Sequence, residues 1–217
     1  GDKAGDPAAS IFRATNVVNV ARFLKHPEVA PRYYGELLYQ LTNTFRPGRM
    51  ADLIDQSLGD WVPSDTTAAM KAFTTNRYAG AFAQIPQAIA VNIPLASSNG
   101  YPRTTSATVT LNGQAHAAQA RSVLVAGVPS AWSAWEARWT NTVALFPGLN
   151  NILVQSLDAS GAEFARTNVV VWYDDGSVAS VGGTIATDAT WTAAGGPYSV
   201  ASSVVVSSGA TLTIEPG

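Results

Sequence analysis

Cysteine is absent from the 217 residues, and histidine occurs only twice. Without thiols there is neither a disulfide framework nor a thiolate nucleophile, and two imidazoles cannot fill the ligand set of an ordinary zinc or copper site. Charge is scarce as well. Asp, Glu, Lys and Arg make up 13% of the chain and leave a net charge of -2, which supplies no basic footprint for nucleic acid or for an acidic membrane surface. No membrane span is expected. Neither G-x-x-x-x-G-K-[ST] nor G-x-G-x-x-G occurs, so the familiar phosphate-cradling loops are missing, and so is the G-x-S-x-G nucleophile elbow. An initiator Met and a basic-then-apolar leader are absent from the start at Gly1, and the chain stops inside Thr211-Leu212-Thr213-Ile214-Glu215-Pro216, the pattern of a strand in progress. A piece of a longer protein is the expectation.

What is present divides in two. Hydrophobic residues reach 47%, enough to bury one or two cores. Of the charged residues, 17 lie in positions 1–90 and 11 in the remaining 127. The charged part carries helical periodicity. Val17, Val20, Ala21 and Leu24 share a face over Thr15–Lys25, ended by His26-Pro27; a second run from Pro31 carries Tyr34, Leu37, Leu38, Leu41 and Phe45. A third follows Pro47-Gly48 with Met50, Leu53, Ile54, Leu58 and Trp61. A fourth follows Pro63, with Ser64 or Asp65 placed to cap it and Met70, Phe73, Tyr78 and Phe82 along it. These stripes predict four helices that pack on one another or on a neighbour.

From about Ile89 the period becomes two. Thr108-Val109-Thr110-Leu111 runs into Asn112-Gly113, the strongest short hairpin signal. Trp135, Ala137, Trp139, Val143 and Leu145 alternate with polar residues, so one face is expected to be buried. Turns are predicted at Pro147-Gly148, Asp158–Gly161 and Asp174-Asp175-Gly176, with strands at Ile152–Val154 and Val169–Tyr173. Short strands at this spacing predict a small antiparallel sandwich of immunoglobulin-like type without the disulfide. After a Gly/Ser/Val-rich connector, Val200, Val204, Val206, Leu212 and Ile214 keep one phase across Ser207-Ser208-Gly209, as two strands facing one core and forming the first coil of a solenoid. The fold class is α+β and multidomain: helical residues 1–86, the sandwich 87–176, then connector and β-helix start over 177–217.

Catalytic and cofactor-binding residues are not expected in this chain. His26 and His116 read as surface or capping residues. Asp2 and Asp6 flank a Gly-containing loop, Asp52 and Asp55 lie a helical turn apart, and Asp174-Asp175 precede a glycine. Asp2, Asp174 and Asp175 are the metal candidates, since oxygen-rich loops hold calcium, although the twelve-residue calcium loop is absent and an ordinary turn also favours Asp-Gly. Among Trp132, Trp135 and Trp139, the last two share the buried phase, leaving Trp132 as the exposed candidate for stacking on a sugar ring.

Ile11-Phe12, Ala21-Arg22-Phe23-Leu24-Lys25-His26-Pro27, Arg32-Tyr33-Tyr34 and Phe73-Thr74-Thr75-Asn76-Arg77-Tyr78 together resemble the C-terminal helical portion of the spore-coat protein H (CotH) kinase family, with His26 replacing the usual polar residue before the proline. Thr108 to Gly113, Leu149-Asn150 and Trp172-Tyr173 resemble the Ig-like module that follows the kinase-like domain in large secreted bacterial members. Thr190-Trp191, Gly196-Pro197-Tyr198 and Gly209 to Gly217 resemble the opening coil of a right-handed parallel β-helix. The resemblance implies an atypical kinase fold that uses ATP and Mg²⁺ held by aspartates. Those groups would lie before Gly1, and none of them has a matching motif here.

Two functions follow as expectations. The first is a segment of a secreted, multidomain, CotH-like protein at the bacterial cell surface. Its partners would be an upstream kinase-like lobe and downstream β-helix coils of the same chain, and alone it would be inactive, because phosphoryl transfer depends on positioned metals, lysine and carboxylates. The second is an extracellular adhesion, scaffold or carbohydrate-binding module whose partner is a protein or a glycan.

Overall fold

The computed structural model describes residues 5–98, 100–192 and 195–216. Helices precede strands, as the change of hydrophobic period requires. A 3₁₀ turn at Arg13–Asn16 leads into α1 (Val18–Leu24), shorter than the predicted Thr15–Lys25 helix. Helix α2 (Ala30–Tyr39) has Pro31 in its first turn and widens into a π turn over Gln40–Thr44. Helix α3 (Pro47–Leu58) starts at its proline after an extended Arg46, and α4 (Ser64–Phe82) follows Pro63. Neither Ser64 nor Asp65 caps α4. Both fall inside the first turn, where the Asp65 charge faces the positive end of the helix dipole. Asp55 on α3 and Lys71 on α4 form an ion pair at 2.5 Å.

The strands are β1 (Ala90–Asn92), β2 (Ser97–Ser98), β3 (Tyr101–Thr104), β4 (Thr108–Gln114), β5 (Ser122–Val125), β6 (Val128–Pro129), β7 (Ala131–Ser133), β8 (Arg138–Ala144), β9 (Gly148–Leu157), β10 (Glu163–Tyr173), β11 (Ala179–Ile185), β12 (Ala189–Trp191), β13 (Tyr198–Val206) and β14 (Leu212–Ile214). Strands β1-β4-β8-β7 make a four-stranded antiparallel sheet, and β2-β3-β10-β9-β5-β6 a six-stranded one in which only the β3–β10 pair is parallel. Among the described residues neither sheet closes into a barrel. The chain is thus an α+β protein. Alternation puts Val109, Leu111 and Trp139 of the smaller sheet and Val123, Val125, Ile152, Val154 and Val171 of the larger into one core.

The turns anticipated at Pro147-Gly148, Asp158–Gly161 and Asp174–Gly176 each carry a glycine with positive φ. Asn112-Gly113 is the exception, for β4 runs straight through it. Strands β1 and β8 flank β4 on both sides, and Gly113 lies opposite Val91 on one and Trp139 on the other. A Cβ at Gly113 would stand 1.9 Å from the Ala90 carbonyl oxygen and 2.9 Å from Cζ2 of Trp139. Lack of space against the Ala90 carbonyl, and secondarily under the Trp139 indole, accounts for this glycine rather than a turn.

The stretch read as a connector is itself structured. Strand β11 pairs in parallel with β13, and β12 with β14. Val181 sits beside Val200, Ile185 beside Val206, Ala189 beside Leu212 and Trp191 beside Ile214, so like side chains align from one strand to the next. Backbone bonds from Ser207 to Ile185 and from Glu215 to Trp191, and the Asp188 carboxylate accepting from the Thr211 N–H at 2.7 Å, tie the two passes together.

Candidate functional site

Helices and sheets meet at a group of aromatic rings. Phe12 lies 4.0 Å from Trp135 between ring centroids and meets Tyr34 edge-on at 5.4 Å, while the Lys25 ammonium stands 5.5 Å above the Trp135 ring. Tyr34 donates its hydroxyl to the Trp135 carbonyl at 2.8 Å. Burial, reinforced by the Tyr33 phenol and the Glu136 carboxylate, pushes the Tyr34 phenol up to about 12. Trp135 is therefore not an inward strand residue. It belongs to a turn before β8, where Ala137 has a φ of 50°, and it joins the two halves of the chain. Ile11, Tyr34, Leu41, Ala81 and Ile85 of the helical part share a cluster with Ala117 and Ala137 from the sheet connections. The preceding segment is clipped to α4: Arg77 donates to the Pro7 and Ala9 carbonyls, and the Ile11 N–H donates to Gln84.

The metal candidates have other employment or lie out of view. Asp2 falls outside the described residues. Asp174 is buried, and its Oδ2 accepts from Arg103 Nε at 2.8 Å and from Nη2, while its Oδ1 accepts from the Gly176 N–H. The Arg103 hydrogen bonds, foremost, hold its carboxyl below the usual aspartate range. Arg103 also lies 5.2 Å from the Trp172 ring. Asp175 accepts from the Ser177 N–H and hydroxyl, an Asx turn that likewise lowers its pKa. Asp6 accepts from the Ala8 N–H, and Asp52 is exposed on α3. Among the described residues no three His, Asp or Glu side chains converge as a metal site.

His26 accepts from the Glu28 N–H at 3.3 Å, closing the turn after α1. His116 accepts from the Ala118 N–H, packs edge-on against Phe164 at 6.4 Å, and has its pKa lowered by burial. Trp132 departs from expectation. It lies directly opposite Trp139 in the β7–β8 register, so it shares the inward face, is half-buried and packs against both apolar clusters. Its Nε1 is buried without a hydrogen-bond partner.

No family model matches this chain, and no curated protein matches it.

Trp132 nevertheless forms a wall of a cleft of about 680 Å³ on the smaller sheet. Strand register places Asn92 beside Asn112, Gln114 beside Arg138 and Arg138 beside Ser133, and Glu136 joins them at the rim. Of these, Arg138 and Glu136 stood out in the sequence only as the polar phase of a strand. Gln114 and Asn92 carry no local signal, because their neighbours come from strands distant in the chain. Elsewhere, among the described residues, no helix is long and apolar enough to cross a membrane.

Proposed function

We propose that this chain is a segment of a secreted, multidomain bacterial protein similar to the CotH kinase family. Residues 1–86 are the C-terminal helical part of a kinase-like domain, 87–176 an Ig-like sandwich, and 177–217 the start of a parallel β-helix. The observation that carries this reading is the unfinished burial of the helices. Helix α1 buries only Leu24, α3 only Ile54, and α4 only Thr67 and Ala81 among their described side chains. Val18, Phe23 and Leu53 stay exposed along them, and Trp61, in the turn after α3, is 86% exposed. Amphipathic helices gain most of their stability from covering such stripes, so these faces fit against a kinase-like lobe. The helices then buttress that lobe, while ATP and Mg²⁺ are held by groups that have no counterpart in this sequence.

Support for the β-helix start comes from the aligned Val181–Val200, Ile185–Val206 and Trp191–Ile214 neighbours. Stacked coils bury their apolar residues only against the next coil, and Val200 and Ile214 are 60% and 65% exposed.

Two measurements test this reading. Incubated with Mg²⁺ and labelled ATP, the 217-residue chain is expected to incorporate no phosphate; autophosphorylation would overturn the division of labour. The coding sequence on either side is expected to hold an aspartate-rich metal motif upstream and repeated Val/Gly-rich coils downstream. Absence of the first removes the kinase-like assignment, and a stop codon directly after Gly217 removes the β-helix.

A further inference from the structure

The outward positions of the smaller sheet do not behave alike along its strands. Toward one end, Thr110 and Thr142 lie opposite each other and satisfy one another, with their hydroxyls 2.9 Å apart. Toward the other, Gln114 and Arg138 occupy the same kind of opposed pair, yet neither side chain has a hydrogen-bond or ion-pair partner among the described residues. Asn92 Nδ2 donates to Asn112 Oδ1 at 3.2 Å, leaving the Asn112 amide donors and the Asn92 carbonyl oxygen to face outward. These are the groups that line the 680 Å³ cleft walled by Trp132 and Glu136.

We infer that this cleft binds a neutral oligosaccharide chain. Amide side chains both donate and accept, a guanidinium offers paired donors and a carboxylate paired acceptors. That combination suits vicinal hydroxyls, which need a donor and an acceptor side by side. Charge selects the class: Arg138 and Glu136 cancel, so the cleft has no net field to attract a polyanion. Size agrees too. Adjacent strands lie about 4.8 Å apart, so the row Ala90, Gln114, Arg138, Ser133 repeats at about the spacing of successive rings in a hexose chain. Ala90 and Ala131, on the outward phase, give apolar ground for the C–H faces of the rings. Trp132 shapes the wall and is not the principal stacking platform, since most of its surface is spent on the core.

The site stands apart from the kinase-like assignment, and either can fail alone. Its test is affinity electrophoresis of the whole chain through gels containing a β-glucan, a galactomannan, a xylan or polygalacturonate, followed by titration calorimetry with hexamers of whichever sugar retards it. At least one neutral polysaccharide is expected to retard the chain. Gln114→Ala and Arg138→Ala are each expected to weaken hexamer binding about ten-fold or more. Thr142→Ala on the same face is expected to leave it within about two-fold, and the unfolding temperature of all three should match the parent. No retardation by any neutral polysaccharide overturns the proposal. So does affinity retained in the Gln114→Ala/Arg138→Ala double variant, retardation by polygalacturonate alone, or a dimer in sedimentation that Arg138→Ala dissolves.

Discussion

The two-sheet region and the helical region spend similar side chains very differently. Leu111, Val123 and Val154 are fully buried between the sheets, whereas Phe23 and Leu53 on the helices, and Trp61 in the turn after α3, face outward. The difference is one of layers. Two facing sheets supply both walls of a core, but a single tier of helices covers only the side that meets the sheets, here through Ile11, Tyr34, Ala81 and Ile85. Local amphipathicity is visible in the strands and in α2 and α3, while burial is completed only between the sheets.

Substitutions can break that contrast. The largest effect is expected from Trp139→Ala, which empties the middle of the two-sheet core and should cost about 3–5 kcal/mol in denaturant unfolding. A cost below about 1 kcal/mol would mean that the sheets do not share a tight core. Next comes Gly113→Ala, whose methyl must displace the Ala90 carbonyl or Trp139. Overpacking of this kind costs about 1–3 kcal/mol, read as a lower midpoint and as faster hydrogen exchange in β1.

A smaller effect tests the joint between the regions. Tyr34 keeps its proton in the folded state up to about 12 but loses it near 10.0 when unfolded. Between those values the folded state binds more protons, so Tyr34's contribution is complete below pH 10 and is lost as pH rises toward 12. Tyr34→Phe should lower stability by about 1 kcal/mol at pH 7 through the lost bond to Trp135. The same variant should show a shallower alkaline loss than the parent; an unchanged slope would show that the joint opens before Tyr34 titrates. Least of all is expected from Leu53→Ala and Trp61→Ala, within about 0.5 kcal/mol because both side chains are exposed. A cost above about 2 kcal/mol would sharpen the comparison in the other direction, by showing that another copy covers the helical face in solution.

The sequence carried α2, α3 and α4 well, since prolines at 31, 47 and 63 mark their starts, and a one-sided apolar stripe runs along α2 and α3, although α4 is nearly as apolar on one face as on the other. It carried the glycine turns at Gly148, Gly161 and Gly176 for the same local reason, a backbone that needs positive φ. It misled at Asn112-Gly113, where the reason for the glycine is the Ala90 carbonyl of the neighbouring strand, with the Trp139 indole 26 residues later in the chain on the other side. Trp132 and Trp135 were misplaced likewise. One gained an inward face by pairing with Trp139, and the other left its strand to meet Phe12 and Lys25. The candidate carboxylates followed this pattern: Asp175 makes the turn that its neighbours predict, while Asp174 is held by Arg103 from a strand far away in the chain.

What the sequence determined by itself is therefore the order of elements, the period of most of them, and the absence of a disulfide or of a thiolate nucleophile that follows from having no cysteine. Those depend on composition and on neighbours within a few positions. Tertiary structure alone decided which strands pair, that β11 to β14 run as two parallel passes, and that Gln114 and Arg138 share a cleft with Asn92. The physical reason is that register and long-range packing place side chains by the partner across the sheet, and that partner is not written beside them in the chain.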